Sequence, residues 1–405
     1  MNKLKKLIDE LYASEVEYRS LGSMMNRIRE KGHQDSSVNQ VYVVSNTKGM
    51  VKAEEYRENT IHSEDTSNYT IIRKDMVAYN PSRLNIGSIA MLNEDEPGLV
   101  SPMYVVFEID QDIVLKEYFE YLMKSTYVAS MIDAYKEEGA RFRFDFSRWN
   151  WIKVPIPSKA IQKDIIEVLD DFSEYISLIT TELEYRKIQF EHYKTKLVED
   201  AIKNCEDTTI RKIADSVTVG IANSATHAYA DQGVIMFRNQ NIKENLLDDS
   251  DLIYIKPDFA SKYKNKSLKE NDILVTRTGY PGQACIVPKK YEGCQTFTTL
   301  ILRLSNLELT DPQFICYYIN SSFGKAYVDK TKTGAAQQNF GAKLLEQMPI
   351  RIPSIDIQRT VVKKLDSFNE LCNNPEYGLP AEIKYRTQQF EYYRDFLLTF
   401  AKKRG

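Results

Sequence analysis

The residues in this chain best suited to chemistry are arginines and side-chain amides on turns fixed by glycine and proline, and that chemistry is hydrogen bonding rather than bond making. "YNPSRLNIG" (79–87) sets Asn80, Ser82, Arg83 and Asn85 on a turn that Pro81 fixes and Gly87 releases. "FRNQN" (237–241) closes a strand-like run with Arg238, Asn239, Gln240 and Asn241, and "VTRTGYPGQA" (275–284) places Arg277, Thr278, Tyr280 and Gln283 on a Gly-Pro turn. "KTKTGAAQQNFGAK" (330–343) adds Lys330, Lys332, Thr333, Gln337, Gln338, Asn339 and Lys343. Arginine presents two parallel donors that fit guanine, an amide offers the donor and acceptor that fit adenine, and lysine is a point charge for phosphate. The other reading of each turn is an ordinary solvated loop. "GARFRFDFSRW" (139–149) alternates, with Phe142, Phe144 and Phe146 on one face and Arg141, Arg143, Asp145 and Ser147 on the other. Paired bases are not free to stack on aromatic rings, so the phenylalanines read as core, and Arg141 and Arg143 are left to face a duplex.

Bond-making chemistry finds no comparable set. An adenine methyltransferase needs a glycine-rich cofactor turn and an Asn-Pro-Pro-aromatic motif, whereas "YNPSR" (79–83) lacks the second proline and the aromatic, and "TGYPGQA" (278–284) lacks G-x-G between strand and helix. A metal-dependent nuclease could begin at Pro257-Asp258, but the acids that follow read Glu270-Asn-Asp, Asp272-Ile-Leu and Glu292-Gly-Cys, none ending in lysine. Four scattered histidines and the absence of G-x-S-x-G leave no hydrolase triad. No two histidines stand at metal-ligand spacing, so no metal site is expected. The expectation is a non-catalytic chain with no catalytic residue and no cofactor of its own.

Composition fits that expectation. With 42% apolar and 27% charged residues, the 405-residue chain has material for two or three soluble domains. Five cysteines without a C-x-x-C pair read as reduced thiols, no run reaches the roughly 18 apolar residues of a membrane span, and "MNKLKKLIDELY" is a short amphipathic helix rather than a signal peptide. A cytoplasmic location without membrane attachment follows. The net charge of −3 excludes nucleic-acid binding driven by bulk basicity and leaves room for a local basic cleft.

The elements that must position these turns are written twice. "IPSKAIQKDIIEVLDDF" (156–172) and "IPSIDIQRTVVKKLDSF" (352–368) share eight of seventeen residues at a separation of 196, and residues 185–198 and 385–398 share seven at a separation of 200. The four extra residues fall at "NNPEYGLP" (373–380), a break by composition. Weaker echoes pair "KDMVAYN" (74–80) with "NDILVTR" (271–277), a separation of 197, and Gly139-Ala140 with Gly334-Ala335. A period near half the chain is a duplicated module and no solenoid. Each module runs from short alternating strands into a proline-flanked helix with Ser158 or Ser354 at its N-cap.

Seam positions in the first helix alternate steps of four and three through Ile165, Leu169, Phe172, Ile176, Ile179 and Leu183, then Arg186, Phe190, Tyr193 and Leu197, the spacing of a coiled-coil seam. Running from 162 to 203, it is about 60 Å long at ~1.5 Å per residue. The second copy supplies Leu365, Phe368, Ile383, Phe390, Tyr393 and Leu397. Such spacing also fits any buried helix, but two such helices at equal separation, each after its own globular segment, favour an antiparallel pair. The expected fold class is α+β: two mixed α/β domains separated by two long antiparallel coiled-coil helices in a pseudo-two-fold repeat. The expected segments are 1–152 (first domain), 153–204 (first helical spacer), 205–348 (second domain) and 349–405 (second helical spacer).

In this order of parts, with two I-P-x-x-x-x-Q helices ending in "YRKIQFEHYKTKL" and "YRTQQFEYYRDFL", the chain resembles the specificity (S) subunits of type I restriction-modification enzymes along essentially its whole length. "SEDTSNYTIIRKDMVAYNPSRLNIGSIA" (63–90), "LKENDILVTRTGYPGQACIV" (268–287) and "TGAAQQNF" (333–340) look like recurrent recognition-domain segments. The "NNPEYGLP" break departs from the pattern. The resemblance implies that each domain reads one half of a split, asymmetric target in double-stranded DNA and that the helices set the spacer. It also implies partners: two modification (M) subunits carrying S-adenosylmethionine chemistry, and restriction (R) subunits in the full complex. The competing expectation is a structural adaptor, two protein-binding domains on a coiled-coil spacer, which would show no sequence preference on DNA.

Overall fold

The structure is a computed structural model that describes residues 2–13, 16–46, 48–56, 65–137, 142–222, 225–332 and 339–399. It divides into two compact units, one of residues 1–178 with 383–405 and one of residues 179–382.

The first unit is built on a four-stranded antiparallel sheet in the order Met25–Ile28, Val105–Ile109, Val77–Tyr79, Ile89–Met91. Its inner strands, Val77–Tyr79 and the middle of Val105–Ile109, are almost wholly buried, so β-branched and aromatic residues dominate them. Tyr79, Phe107, Phe119, Phe144 and Trp149 fill one core with edge-to-face rings, Phe144 and Trp149 having centroids 4.8 Å apart. The amphipathic helix Asn2–Ala13 adds buried Leu7 and Leu11 to that core. A second lobe joins the hairpin Tyr42–Ser45/Gly49–Lys52 to the pair Thr70–Ile72/Gly98–Val100.

The second unit repeats the sheet in the same order: Ala214–Val219, Leu300–Leu304, Ile273–Val275, Ala284–Ile286, again antiparallel throughout. Its second lobe is a mixed sheet of Tyr229–Ala230, Ile253–Ile255, Val234–Phe237 and Gln295–Thr296. The strand Val77–Tyr79 matches Ile273–Val275 at 196, and the left-handed residues before them, Asp75 (φ 66°) and Asn271 (φ 67°), match at the same separation. The sequence echo at 197 is therefore one residue out of register. Its few identities could not see two short turns in which Asp and Asn do the same backbone work.

Each sheet domain runs into its helix through a proline-bearing strand, Lys153–Ile156 paired with Glu17–Ser20 and Pro349–Arg351 paired with Asp207–Thr209. The glutamine of each I-P-x-x-x-x-Q motif then ties strand, loop and helix together. Gln162, with no exposure, accepts from the Leu115 N–H at 2.8 Å and donates to the carbonyls of Ile113 (3.0 Å) and Pro157 (2.9 Å). Gln358, equally buried, accepts from the Asp311 N–H at 2.8 Å and donates to Leu309 (3.0 Å) and Pro353 (2.8 Å). Every partner is displaced by 196, so the motif marks a buried side chain that satisfies three backbone groups the proline-broken loop would otherwise strand. Ser158 accepts from Ile161 N–H at 3.5 Å, whereas Ser354 occupies the cap position without a side-chain bond.

The first long helix is continuous over Lys159–Ile202. The second is two helices, Ile355–Asn373 and Leu379–Thr399. Between them Asn374 Oδ1 accepts from the N–H groups of Glu376 and Tyr377, and a Cβ on Gly378 would stand 2.5 Å from the Glu370 carbonyl. Asparagine, proline and glycine thus break the helix where "NNPEYGLP" predicts.

Candidate nucleic-acid interface

The turn singled out in each half is the same piece of architecture. Residues 80–88 join Val77–Tyr79 to Ile89–Met91, and residues 276–283 join Ile273–Val275 to Ala284–Ile286. Both close with the same bond, Asn80 N–H to Ser88 O and Thr276 N–H to Gln283 O, each 2.9 Å. Both are also held from the side by a buried phenylalanine: Phe144 N–H donates to Pro81 O and Phe340 N–H to Arg277 O, again 2.9 Å and again 196 apart. Residues 142–144 and 339–340, far away in sequence, are thereby brought against the two turns.

In the second unit several loops converge on this hairpin. Arg277 Nε donates to Asn339 Oδ1 at 3.0 Å, and Thr278 bridges to Asn339 in antiparallel pairing. Asn239 Oδ1 accepts from Arg277 N–H at 3.2 Å while its Nδ2 donates to Thr278 Oγ1 (3.0 Å) and Thr298 Oγ1 (3.3 Å). The remaining Arg277 nitrogens have no partner among the described residues, so Asn339 aims a half-exposed guanidinium whose fork is open. Tyr280, 80% exposed, stands at the tip between Gly279 (φ 80°) and Gly282 (φ 93°). Gln283 is half-buried at the foot. Arg238 is held to Asp251 at 2.8 Å, and buried Asn241 accepts from Arg238 N–H while donating to the carbonyls of Asp248 and Asp251. Lys332 is paired with Asp329 at 2.7 Å, and Lys343 is exposed on the helix Ala342–Glu346. Thr333, Gln337 and Gln338 lie outside the described residues.

In the first unit Asn80 is buried and its Oδ1 accepts from Ser82 N–H at 2.9 Å, which folds the turn and turns Ser82, Arg83 and Asn85 outward. The Arg83 guanidinium has no hydrogen-bond or ion-pair partner among the described residues. Arg143 is exposed and 3.8 Å from Glu137, and Arg141 lies outside the described residues. Phe144 is buried in the core; Phe142 and Phe146 are half-buried against it. Hydrogen bonds from the Ser147 backbone and hydroxyl, with Arg27 and Arg143 nearby, hold the Asp145 carboxyl below its ordinary range. Arg27 is absent from the sequence reading. It stands exposed on Met25–Ile28 with its guanidinium 5.9 Å from the Phe146 ring centroid, on the same side as Arg143. One arginine in a short alternating strand carries little signal by itself.

The asparagines thus divide by role. Asn80, Asn239 and Asn241 use their amides to hold turns, while Ser82, Arg83, Asn85, Arg277 and Tyr280 keep side chains presented to solvent. What the two turns can do chemically is donate and accept hydrogen bonds from a preformed surface. Among the described residues no group of three or more His, Cys, Asp or Glu side chains is gathered as a metal would require.

A family model for the type I restriction modification DNA specificity domain matches residues 14–188 and again 203–385. The chain belongs to that family. The Escherichia coli type I restriction enzyme EcoR124I/EcoR124II specificity subunit is 27% identical over 315 residues, 75% of this chain and 75% of its own. A chain from a structure of the type I R-M system, solved for complex assembly and conformational transition, superposes with a TM-score of 0.63 at 12% identity over 94% of this chain and 97% of that one. The HsdS subunit from Thermoanaerobacter tengcongensis does so with a TM-score of 0.58 at 13% identity, over 94% and 96%. These likenesses show the fold: two mixed domains with long antiparallel helices.

In this type I specificity chain the helix seam is made of repeat-matched contacts. Within the first unit Phe172 stacks on Tyr393 (5.7 Å) and Arg386 covers Tyr175 (5.4 Å), so the helices run antiparallel. Tyr121 donates to Asp170 at 2.6 Å and meets Phe390 edge-on. Within the second unit Tyr193 meets Phe368 at 5.7 Å, Tyr317 donates to Asp366 at 2.7 Å, and Phe190 meets Tyr317 edge-on. Ile165, Leu169, Phe190, Leu365 and Leu397 are buried, and Phe172, Ile176, Ile179, Leu183, Leu197, Phe368, Ile383, Phe390 and Tyr393 are half-buried. Tyr193 is 36% exposed, because beyond Phe190 the buried face moves on by one residue to Lys194 and Val198.

Proposed function

We propose that this chain is the DNA sequence-specificity subunit of a type I restriction-modification system, and that each unit reads one half of a split, asymmetric duplex target. The observation that carries this is the duplicated hairpin: one sheet position, one closing bond and one phenylalanine clamp, dressed with different outward side chains. A fixed frame with variable polar tips is what two independent readings of major-groove edges require. Arg83 and Arg277 are the bidentate donors suited to guanine, and Ser82, Asn85, Thr278 and Gln283 complete the two surfaces. Lys332 and Lys343 serve phosphate register.

The chain supplies selection and positioning and no chemistry. The helices Lys159–Ile202, Ile355–Asn373 and Leu379–Thr399 set the spacer and dock two modification subunits, which bring S-adenosylmethionine and methylate adenine; restriction subunits join the full complex. Among the described residues no helix is long and apolar enough to cross a membrane. Genome-wide methylation compared in cells with and without this gene, in the presence of its partners, is the test. The expected result is loss of methylation at one bipartite asymmetric motif, and an unchanged methylation pattern would refute the reading.

A further inference from the structure

The two second lobes differ sharply in charge at one matched position. Leu268 exchanges backbone bonds with Cys294 and Gly293 as Ile72 pairs with Gly98, so at the repeat separation of 196 the sequence of 256–270 corresponds to that of 60–74. That second-copy stretch carries Lys256, Lys262, Lys264, Lys266 and Lys269 against Asp258 and Glu270, a net +3; the first-copy stretch has Arg73 and Lys74 against Glu64 and Asp65, a net of zero. Even that Arg73 is committed, its guanidinium bonded bidentately to Glu30. Such asymmetry is notable in a chain whose overall charge is −3.

Local packing turns the lysines outward. Ala260 is buried and Phe259 and Tyr263 pack on the lobe's core, their rings 5.3 Å apart, which leaves Lys256, Lys262, Lys264 and Lys269 exposed. None of these four ammonium groups has a hydrogen-bond or ion-pair partner among the described residues. Lys266 is the exception and ties the run to the reading hairpin: its ammonium donates to Gly220 O at 3.0 Å, Gly220 N–H donates to Thr299 O at 3.0 Å, and the neighbouring Thr298 receives Asn239. Cations free of side-chain partners, in the same unit as the reading hairpin and tied to it through Lys266, have the placement of backbone-phosphate contacts beside a read sequence.

We propose that the lysine run 256–269 is the phosphate anchor of the second half-target, and that the second unit therefore provides most of the salt-sensitive part of DNA binding. This rests on the specificity-subunit reading. Each phosphate neutralised releases counterions and steepens the dependence of log affinity on log salt by about 0.9.

The test is a salt titration of the full chain assembled with its modification subunits, on a fluorescent duplex bearing the motif found by methylation mapping. The variant is Lys256→Gln, Lys262→Gln, Lys264→Gln and Lys269→Gln together. The control removes the same charge from exposed positions of the first unit away from the spacer helices and the hairpin, as Lys5→Gln, Lys6→Gln, Lys48→Gln and Lys153→Gln. The expected result is a slope shallower by about 3 to 4 in the lobe variant, little change in the control, and preserved preference for the motif over a scrambled duplex. An unchanged slope, an equal change in the control, or loss of base preference at the second half would each overturn the proposal. Failure of the unmodified complex to prefer its motif would instead strike the specificity-subunit reading itself.

Discussion

The collars around Gln162 and Gln358 match bond for bond across 196 residues, while the hairpins at 80–88 and 276–283 share a frame but hardly a side chain. The same contrast separates the seam, where Phe172–Tyr393 recurs as Phe368–Tyr193, from the second lobes, where Lys256, Lys262, Lys264 and Lys266 correspond in sequence to Thr60, Thr66, Asn68 and Thr70. Where a side chain completes a backbone that has no other partner, the copies agree. Where it faces solvent, they part, and a recognition function needs that division.

The sharpest way to break the comparison is to remove a collar. Gln162→Leu leaves Leu115 N–H and the Ile113 and Pro157 carbonyls unpaired in a site with no exposure, and Gln358→Leu does the same to Asp311, Leu309 and Pro353. At ~1–3 kcal/mol for each of the three stranded groups, each variant is expected to lose about 3–9 kcal/mol in urea unfolding of the full chain. A large loss from one and near-neutrality from the other would show that the matched geometry hides unequal roles.

Substitution at the hairpins sharpens the other side of the contrast and is expected to cost less. Arg83→Ala and Arg277→Ala should each relax discrimination at one half of the target by about 1–3 kcal/mol, read from affinities for duplexes mismatched in either half, with stability nearly unchanged. Equal blurring of both halves by Arg277→Ala would end the division of labour between the turns.

Sequence legibility followed the same line. The seam residues, the duplicated proline-glutamine motif and the break at "NNPEYGLP" could be read because each answers to local periodicity or backbone chemistry. The hairpins were found by composition, but composition reports what a side chain can bond and never what it does bond. Asn80, Asn239 and Asn241 look like adenine readers in the sequence and are turn braces in the fold. Asn339, an amide like the others, instead aims Arg277 across 62 residues of chain. Such pairings depend on tertiary approach, which no spacing rule carries. Arg27 stayed hidden for the same reason, and the lysines of 256–269 stayed unremarked until the matched position in the other copy gave them a reference.

The helix ends offer the finest version of the comparison. In the second unit Lys194, 1% exposed, is latched by Glu191 (2.7 Å) and by Glu244 (2.8 Å). In the first unit the matching stretch uses Asp395, whose carboxylate accepts from Thr126 N–H (3.0 Å) and Thr126 Oγ1 (2.8 Å) at the start of helix Thr126–Ala134. Partial burial opposes the charge there, but Arg394 and the Thr126 donors outweigh it and hold the carboxyl below its ordinary value. Because the folded pKa is depressed, the contribution is present above the unfolded value of about 3.9 and is lost as pH falls through the lower folded value. Asp395→Asn keeps an acceptor for the Thr126 N–H, offers the Thr126 hydroxyl an N–H to accept in place of the second oxygen, and removes the charge at a helix N-terminus, so a loss of about 0.3–1 kcal/mol is expected at pH 7. Unfolding of both proteins followed from pH 7 to pH 2.5 should show that difference shrinking in acid. A difference that stayed constant would mean the latch works by shape, as a neutral bracket, and that its carboxylate charge has no part in it.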